Sequence, residues 1–477
     1  MCCTCRRTRN DFPRIACDAF IPLIAGSAPD SLIACAASLV TGEYSGRVAD
    51  NMRLTVALGG SNAHWSYWTP ASMFGAPAGY DSKTRNFSAE ARLASETAPE
   101  GGFDWMAGVY ASSLKKTAPH LFETPGAFRS ATHADVEGNT AAVFGELGSR
   151  FAPKWRVAGA LRYEHDRRRL DWLSQQSGRF DSDDDNIPDT TYDTIDRVSG
   201  LKVRDNVLLP RLTFEFRPDA QQFVWASVAR GYKASGFNLY ATSPSSAESP
   251  FAPEYGTTAE LGYRIKGNAD AWLLSATVFH TRLRDQQVVV VGSAGQTLVA
   301  NAGCSHSQGV DFNATVRPTR QLDINAYAGF VRTVYDDYVN GNVNYAGRQF
   351  PNALRQTFGV AVNWRPASGW EAGMAWRHVG DSNLYPASTV TNRAYDLLDA
   401  HVSYRIDRWT VGFYGKNLGD KRYFTRAMNA NSLVAAAPRS LNVRVSLDFR
   451  AWRRCTLAPP PCRPSPRSTA MSTWHWP

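Results

Sequence analysis

The chain has 477 residues, a formal net charge of +9, and 43% hydrophobic and 12% aromatic residues. Most of the excess charge lies at the ends: Arg6, Arg7, Arg9 and Arg14 against Asp11 in residues 1–17, and Arg450, Arg453, Arg454, Arg463 and Arg467 with no acid in 450–477. The nearly neutral body between them excludes a nucleic-acid-binding role, and no apolar run approaches the roughly 18 residues of a helical membrane span.

Residues 1–48 look foreign to the strand-bearing middle of the chain. Cys2, Cys3 and Cys5 lack the spacing of a zinc knuckle and have no histidine to complete one. Asp18, Pro22, Pro29 and Asp30 interrupt the apolar stretch that an export signal would need. The tail 450–477, with Cys455 and Cys462, is equally foreign to the middle. We expect both ends to be aberrant, disordered segments, translated out of frame or from a wrong start, around a body of 49–449.

Within the body, period-two alternation predicts β-strands with one apolar and one polar face. In Trp155–Tyr163, residues Trp155, Val157, Gly159, Leu161 and Tyr163 oppose Arg156, Ala158, Ala160 and Arg162. Val310–Val316, Leu322–Phe330 and Phe358–Trp364 repeat the pattern. In Leu441–Phe449, residues Leu441, Val443, Val445, Leu447 and Phe449 oppose Asn442, Arg444, Ser446 and Asp448. We count about sixteen such segments by this criterion. Aromatic residues recur near the ends of the apolar faces, where an amphipathic ring favours the level of lipid headgroups.

The links are of two kinds. Short Pro-, Gly- and Asp-containing turns fall at Glu96–Gly102, Phe151–Trp155, Arg217–Gln221, Lys266–Asp270, Arg317–Arg320, Arg365–Ser368 and Arg405–Trp409. Between them lie long polar stretches, expected to be irregular, at about 60–84, 114–138, 168–206, 232–253, 286–303, 334–353, 381–394 and 425–438. A soluble sandwich has no reason to sort its links by length in strict alternation. A transmembrane antiparallel β-barrel does, because periplasmic turns are short and extracellular loops long. An enzyme has little support: nucleophile motifs are absent, and the five-residue spacing of Ser275 and His280 places them on opposite faces.

Several segments carry a family resemblance. FSAEARLAS followed by FDWMAGVY, VFGELGSRF with LRYEHD, and LLPRLTFEFRPDAQQFVWASVARGYKASGFN resemble strand pairs of TonB-dependent outer-membrane receptors of the siderophore type. So do PEYGTTAELGYRIKG, NAGCSHSQGVDFNATVRP and YDLLDAHVSYRIDRWTVGFYGKNLGDKRYF, while PRSLNVRVSLDF resembles the family's closing strand. The resemblance covers about 85–449. It implies an all-β transmembrane barrel in the Gram-negative outer membrane, lipid on its outside, and energised uptake of an iron–siderophore or similar large nutrient. That family has a plug domain inside a barrel of about 22 strands and a short box that engages the TonB-type energy transducer. Neither plug nor box is visible here. The expectation is therefore an incomplete barrel, a fragment of a receptor, with a passive porin-like channel as the alternative function.

The resemblance further implies ligand contacts from aromatic and basic residues of the outer loops. By loop placement the candidates are Tyr232, Phe237, Tyr240, Tyr345 and Arg348, against the plainer reading that they pack loops. The polar strand faces bearing Arg156, Arg162, Arg211 and Arg444 should line the interior, where most such arginines pair with carboxylates such as Glu215 and Asp448 or face water. No cofactor is required. A calcium ion is one candidate in the acidic loop FDSDDDNIPD, through Asp181, Asp183, Asp185 and Asp189, although the loop lacks the glycine and closing glutamate of an EF-hand.

Overall fold

The computed structural model describes residues 32–69, 78–96, 102–124, 128–180, 190–267, 271–291, 297–384, 391–429 and 432–448. Phe449, the four aspartates of the acidic loop and the terminal cysteines Cys2, Cys3, Cys5, Cys17, Cys455 and Cys462 lie outside them.

A single 17-stranded sheet dominates. Its strands are β1 (Leu32–Ala49), β2 (Met52–Thr69), β3 (Ala78–Ser95), β4 (Phe103–Thr124), β5 (Phe128–Ala152), β6 (Trp155–Phe180), β7 (Thr190–Phe216), β8 (Gln222–Lys233) and β9 (Glu254–Lys266). They continue as β10 (Trp272–Arg284), β11 (Cys304–Thr319), β12 (Leu322–Asp337), β13 (Gln356–Trp364), β14 (Trp370–Val379), β15 (Tyr395–Ile406), β16 (Trp409–Lys416) and β17 (Ser440–Leu447). Each pairs antiparallel with the next along the chain. The meander is that of an up-and-down barrel. Among the described residues β1 pairs only with β2 and β17 only with β16.

From β6 onward short and long links alternate, whereas the link from β4 to β5 spans only residues 125–127, fewer than the link from β3 to β4. All seven expected short turns connect neighbouring strands, and an eighth joins β1 to β2 through Asp50 and Asn51, the latter at φ 63. Asn tolerates this left-handed conformation better than most residues. The 17 strands of the sheet agree with the expected count of about sixteen. Two expectations need correction. First, Leu32–Ala49 forms a full strand in register with β2, so the sheet begins before residue 49. Second, the described parts of the stretches around 60–84, 114–138 and 168–206 are strand rather than irregular. They are the far ends of long hairpins, with β5, β6 and β7 running 25, 26 and 27 residues. A tilted strand crosses a bilayer in roughly 10 residues, so these hairpins project well beyond the hydrocarbon.

Where β6 leaves the membrane is legible on its outer face. Trp155, Leu161 and Tyr163 are exposed there, and the same face continues as His165, Arg167 and Arg169. Trp155 to Tyr163 is about nine residues, within the roughly 9–11 that a tilted strand needs to cross the hydrocarbon. Aromatic pairs mark the short-turn edge: Trp155 stacks on Phe216 at 4.2 Å between centroids, and Trp370 lies 4.7 Å from Tyr404.

Candidate functional site

The lumen wall is polar and cross-linked by ion pairs. Arg156 of β6 donates to Asp104 of β4 at 2.9 Å, and its other nitrogens reach Glu146 of β5 at 3.1 Å and Glu215 of β7 at 2.9 Å. Four strands are thereby tied through one guanidinium, whose planar fork suits several carboxylates at once. Arg162 bonds Glu164 at 2.7 Å and lies 5.2 Å from the Tyr110 ring centroid, and Arg211 donates to Thr213. Arg156, Arg162 and Arg211 thus find partners, while Arg444 is exposed on β17 and Asp448 lies 3.7 Å from Arg405.

Above the membrane, the link from β8 to β9 folds inward instead of standing outside. This strap, residues 234–253, contains one short helix, α1 (Pro244–Ala247), capped by Ser243 and begun by a proline whose missing N–H costs nothing there. Phe237, Ala241 and Ala247 pack against Ala134 and Val136 of β5, Leu170 and Trp172 of β6 and Val198 of β7. These wall residues are the inner-face partners of the projecting hairpins, since the register pairs Ala134 with Trp172 and Val136 with Leu170. The apolar contact holds the strap, and polar tethers fix its register: Ser235 bonds Asp205, Asn238 bonds Val299 N and Ser249 O, and Gln176 bonds the carbonyl of Thr242.

Under the strap sits an unusual concentration of unsatisfied groups. Among the described residues, the buried side-chain atoms without a hydrogen-bond partner are His120 Nδ1 and Nε2, Thr132 Oγ1 and Trp172 Nε1. All three residues lie on the inner wall of β4, β5 and β6. His120 and Thr132 are cross-strand partners, and Thr132 lies two residues from Ala134, the partner of Trp172. Each such atom costs about 1–3 kcal/mol, and functional sites are where proteins tolerate such costs. His120 stacks on Tyr80 at 4.3 Å, and Tyr240 meets both rings edge-on at 5.7 and 5.6 Å. Burial depresses the His120 pKa to about 4 and raises those of Tyr80 and Tyr240. The imidazole is neutral at pH 7, able to donate from one nitrogen and accept at the other.

The sequence-derived candidates divide between two places. Tyr232, Phe237 and Tyr240 belong to the strap and its entry. Tyr232 donates to Glu164 at 2.6 Å, Phe237 is buried in the apolar core, and Tyr240 covers His120. Tyr345 and Arg348 lie instead on the link from β12 to β13, where Tyr345 stacks on Tyr338 at 4.9 Å in a core with Tyr335 and Phe350, and Arg348 caps the Tyr345 ring at 5.1 Å. Phe237 and Tyr345 are both buried within apolar clusters. Tyr80, His120, Thr132 and Trp172 escaped notice because their segments were read as irregular loops; continuing the alternation past Lys115 and Leu170 would have put them on the inner face. Among the described residues no cluster of His, Cys, Asp and Glu suits a metal ion.

Residues 37–418 match the family model described as TonB dependent receptor-like, beta-barrel. The pesticin receptor of Yersinia pestis is 25% identical over 355 residues, covering 72% of this chain and 49% of that protein. The metal-pseudopaline receptor CntO of Pseudomonas aeruginosa is 23% identical over 307 residues, covering 63% of this chain and 39% of that protein. The chain therefore spans about half the length, or less, of these curated relatives. Among solved structures, the ferric yersiniabactin uptake receptor FyuA of Yersinia pestis superposes with a TM-score of 0.71 at 20% identity, over 89% of this chain and 63% of that one. The ferric-catecholate import receptor Fiu of E. coli K12 gives 0.69 at 14% identity, over 89% and 65%. With most of its length matched by the family model, this chain belongs to the TonB-dependent receptor-like β-barrel family.

Proposed function

We propose that the chain is the barrel part of a Gram-negative outer-membrane receptor that takes up an iron–siderophore or similar large metal chelate, with import energised through a TonB-type transducer. The observation that carries this reading is the vestibule: long hairpins raise a wall above the membrane, and the strap leaves neutral His120 and the phenols of Tyr80 and Tyr240 on its inner side. Aromatic and neutral polar groups recognise a bulky chelate without requiring a fixed net charge. The names of the relatives, receptors for pesticin, metal-pseudopaline and ferrioxamine, support the same class. A passive porin-like channel is disfavoured, because general pores keep an open aqueous lumen whereas here a packed strap occupies the vestibule.

The test is binding by the full chain refolded in lipid vesicles, read by tryptophan fluorescence against a panel of ferric hydroxamate, catecholate and thiazoline chelates. Saturable binding of one class, weakened at least about tenfold by Tyr240→Ala, is the expected result. Vesicles that bind none of the panel yet conduct small ions openly would replace this reading with the channel.

A further inference from the structure

The lipid-facing surface carries a second feature that the uptake reading does not use. On β9 to β12, the outward residues Leu261, Val278, Val310 and Phe330 are direct cross-strand neighbours and form one apolar row around the barrel. The next outward row toward the long loops is Ala259, His280, Gln308 and Arg332, again paired strand to strand. Between these rows runs a groove of about 930 Å³, extended toward β7 by Leu212 and Phe214. Its lining includes Leu261, Val278, Val310 and Phe330 of the apolar row and His280, Gln308 and Arg332 of the polar one.

Charge on the polar side is uncompensated. Arg332 and Arg282 are exposed, and among the described residues neither has an ion pair or hydrogen bond. The nearest outward acid, Asp336, is engaged by His306 at 2.8 Å. Arg282 pairs across the sheet with His306, one row above His280. Two strand spacings and two residues of rise put the Arg282 and Arg332 Cα atoms about 12 Å apart, within the combined reach of two arginine side chains. Unpaired guanidinium groups directly above an apolar band form a favourable site for an anionic headgroup, and each is worth roughly a fivefold gain in binding.

We propose that this face binds a phosphate-bearing acyl lipid of the outer leaflet, its chains lying along Leu261, Val278, Val310 and Phe330 and its phosphate held between Arg332 and Arg282. Apolar and cationic elements sit at the two levels where such a lipid carries its chains and its head. The inference rests on the barrel lying in a bilayer and is independent of which chelate, if any, is imported.

Native mass spectrometry of the full chain, released from vesicles of equal parts phosphatidylcholine and phosphatidic acid, tests it. The expected result is retention of phosphatidic acid over phosphatidylcholine by at least about tenfold, lost in the Arg282→Gln, Arg332→Gln double variant and largely kept by the corresponding lysine variant. Equal retention of both lipids by the unsubstituted chain would overturn the proposal. So would an unchanged preference in a folded glutamine variant, or full displacement of the lipid by inorganic phosphate at matched concentration, which would indicate a site for free anions. Should the glutamine variant fail to fold, the competition on the unsubstituted chain still decides.

Discussion

Asp205 of β7 receives two hydrogen bonds from Ser235, one from its backbone N–H and one from its hydroxyl, each 2.8 Å long. Both residues are buried, at 7% and 4% exposure, so water competes poorly for the carboxylate. Hydrogen bonds to a buried anion are roughly twice as strong as neutral ones. This pair is the point at which the strap is fastened where it leaves β8. Replacing Asp205 with alanine should lower the free energy of strap opening by about 2–3 kcal/mol, while Asp205→Asn, which keeps one acceptor, should cost less. Hydrogen exchange reads the effect directly: amides of residues 235–247 should exchange about 30- to 150-fold faster, with β14 to β16 unchanged. Equal protection in both proteins would mean that the apolar core alone holds the strap.

Acidification should loosen the same element from the other side. His120 is neutral under Tyr240 because burial lowers its pKa to about 4. When the strap lifts, the imidazole regains a pKa near 6.5. The open state therefore takes up a proton that the closed state refuses. Above pH 6.5 neither state is protonated and pH has no effect through this group. Between pH 6.5 and 4 closure loses stability as pH falls, by up to about 3 kcal/mol. The groups facing His120 are Tyr80 and Tyr240, both with pKa values raised by burial and neutral across this range, and Thr132, which carries no charge. Strap exchange at pH 5 should accordingly exceed that at pH 7 after correction for intrinsic rates, and His120→Gln should flatten the difference.

Arg156 offers a separate lever on the barrel itself. One cation holds Asp104, Glu146 and Glu215 together, and Glu215 gains only an additional 3.3 Å contact from Arg217. Arg156→Met would leave the carboxylates clustered without that charge. A cost of about 1–3 kcal/mol follows, below the 3–5 of a fully buried pair because lumen water screens part of it. Arg156→Lys, which keeps the charge but loses the fork, should recover a good share of it. Urea unfolding of the refolded chain in vesicles measures both; indistinguishable midpoints for all three proteins would show that the hub adds nothing to stability.

How far this architecture could be read in advance depended on which force was writing the pattern. Inside the bilayer, lipid and water wet opposite faces of each strand, so Trp155, Leu161 and Tyr163 alternate with Arg156 and Arg162, and both fold and short turns were plain. Above the bilayer, water reaches the outer face and also parts of the inner one. Lys115, Glu137 and Arg169 then read as loop, although they sit on regular strands, with Lys115 and Glu137 forming an ion pair at 2.7 Å. The strap was the hardest element. Phe237 and Ala241 bury themselves against residues about 40 to 100 positions earlier in the chain, and nothing local to 234–253 announces an inward fold. That is why Tyr240 was found by its place in a loop, whereas its partners Tyr80 and His120 were missed.

The change of solvent along β6 can be measured residue by residue. Leu161, Arg162 and Arg167 share one continuous strand, yet the geometry gives them different surroundings: lipid for Leu161, lumen for Arg162 beside Glu164, and outer water for Arg167, two strand pairs above the exposed Tyr163. Single cysteines at these positions, carrying an environment-sensitive fluorophore in vesicles, should therefore separate. Leu161→Cys should be quenched by brominated acyl chains and protected from aqueous iodide. Arg167→Cys should show the reverse. Arg162→Cys should resist the brominated lipid as well, since it lies behind the wall rather than on it. A soluble sandwich would protect Leu161 from both quenchers, because its apolar face would be covered by protein, so equal and low quenching at that position would remove the membrane barrel and the lipid site together.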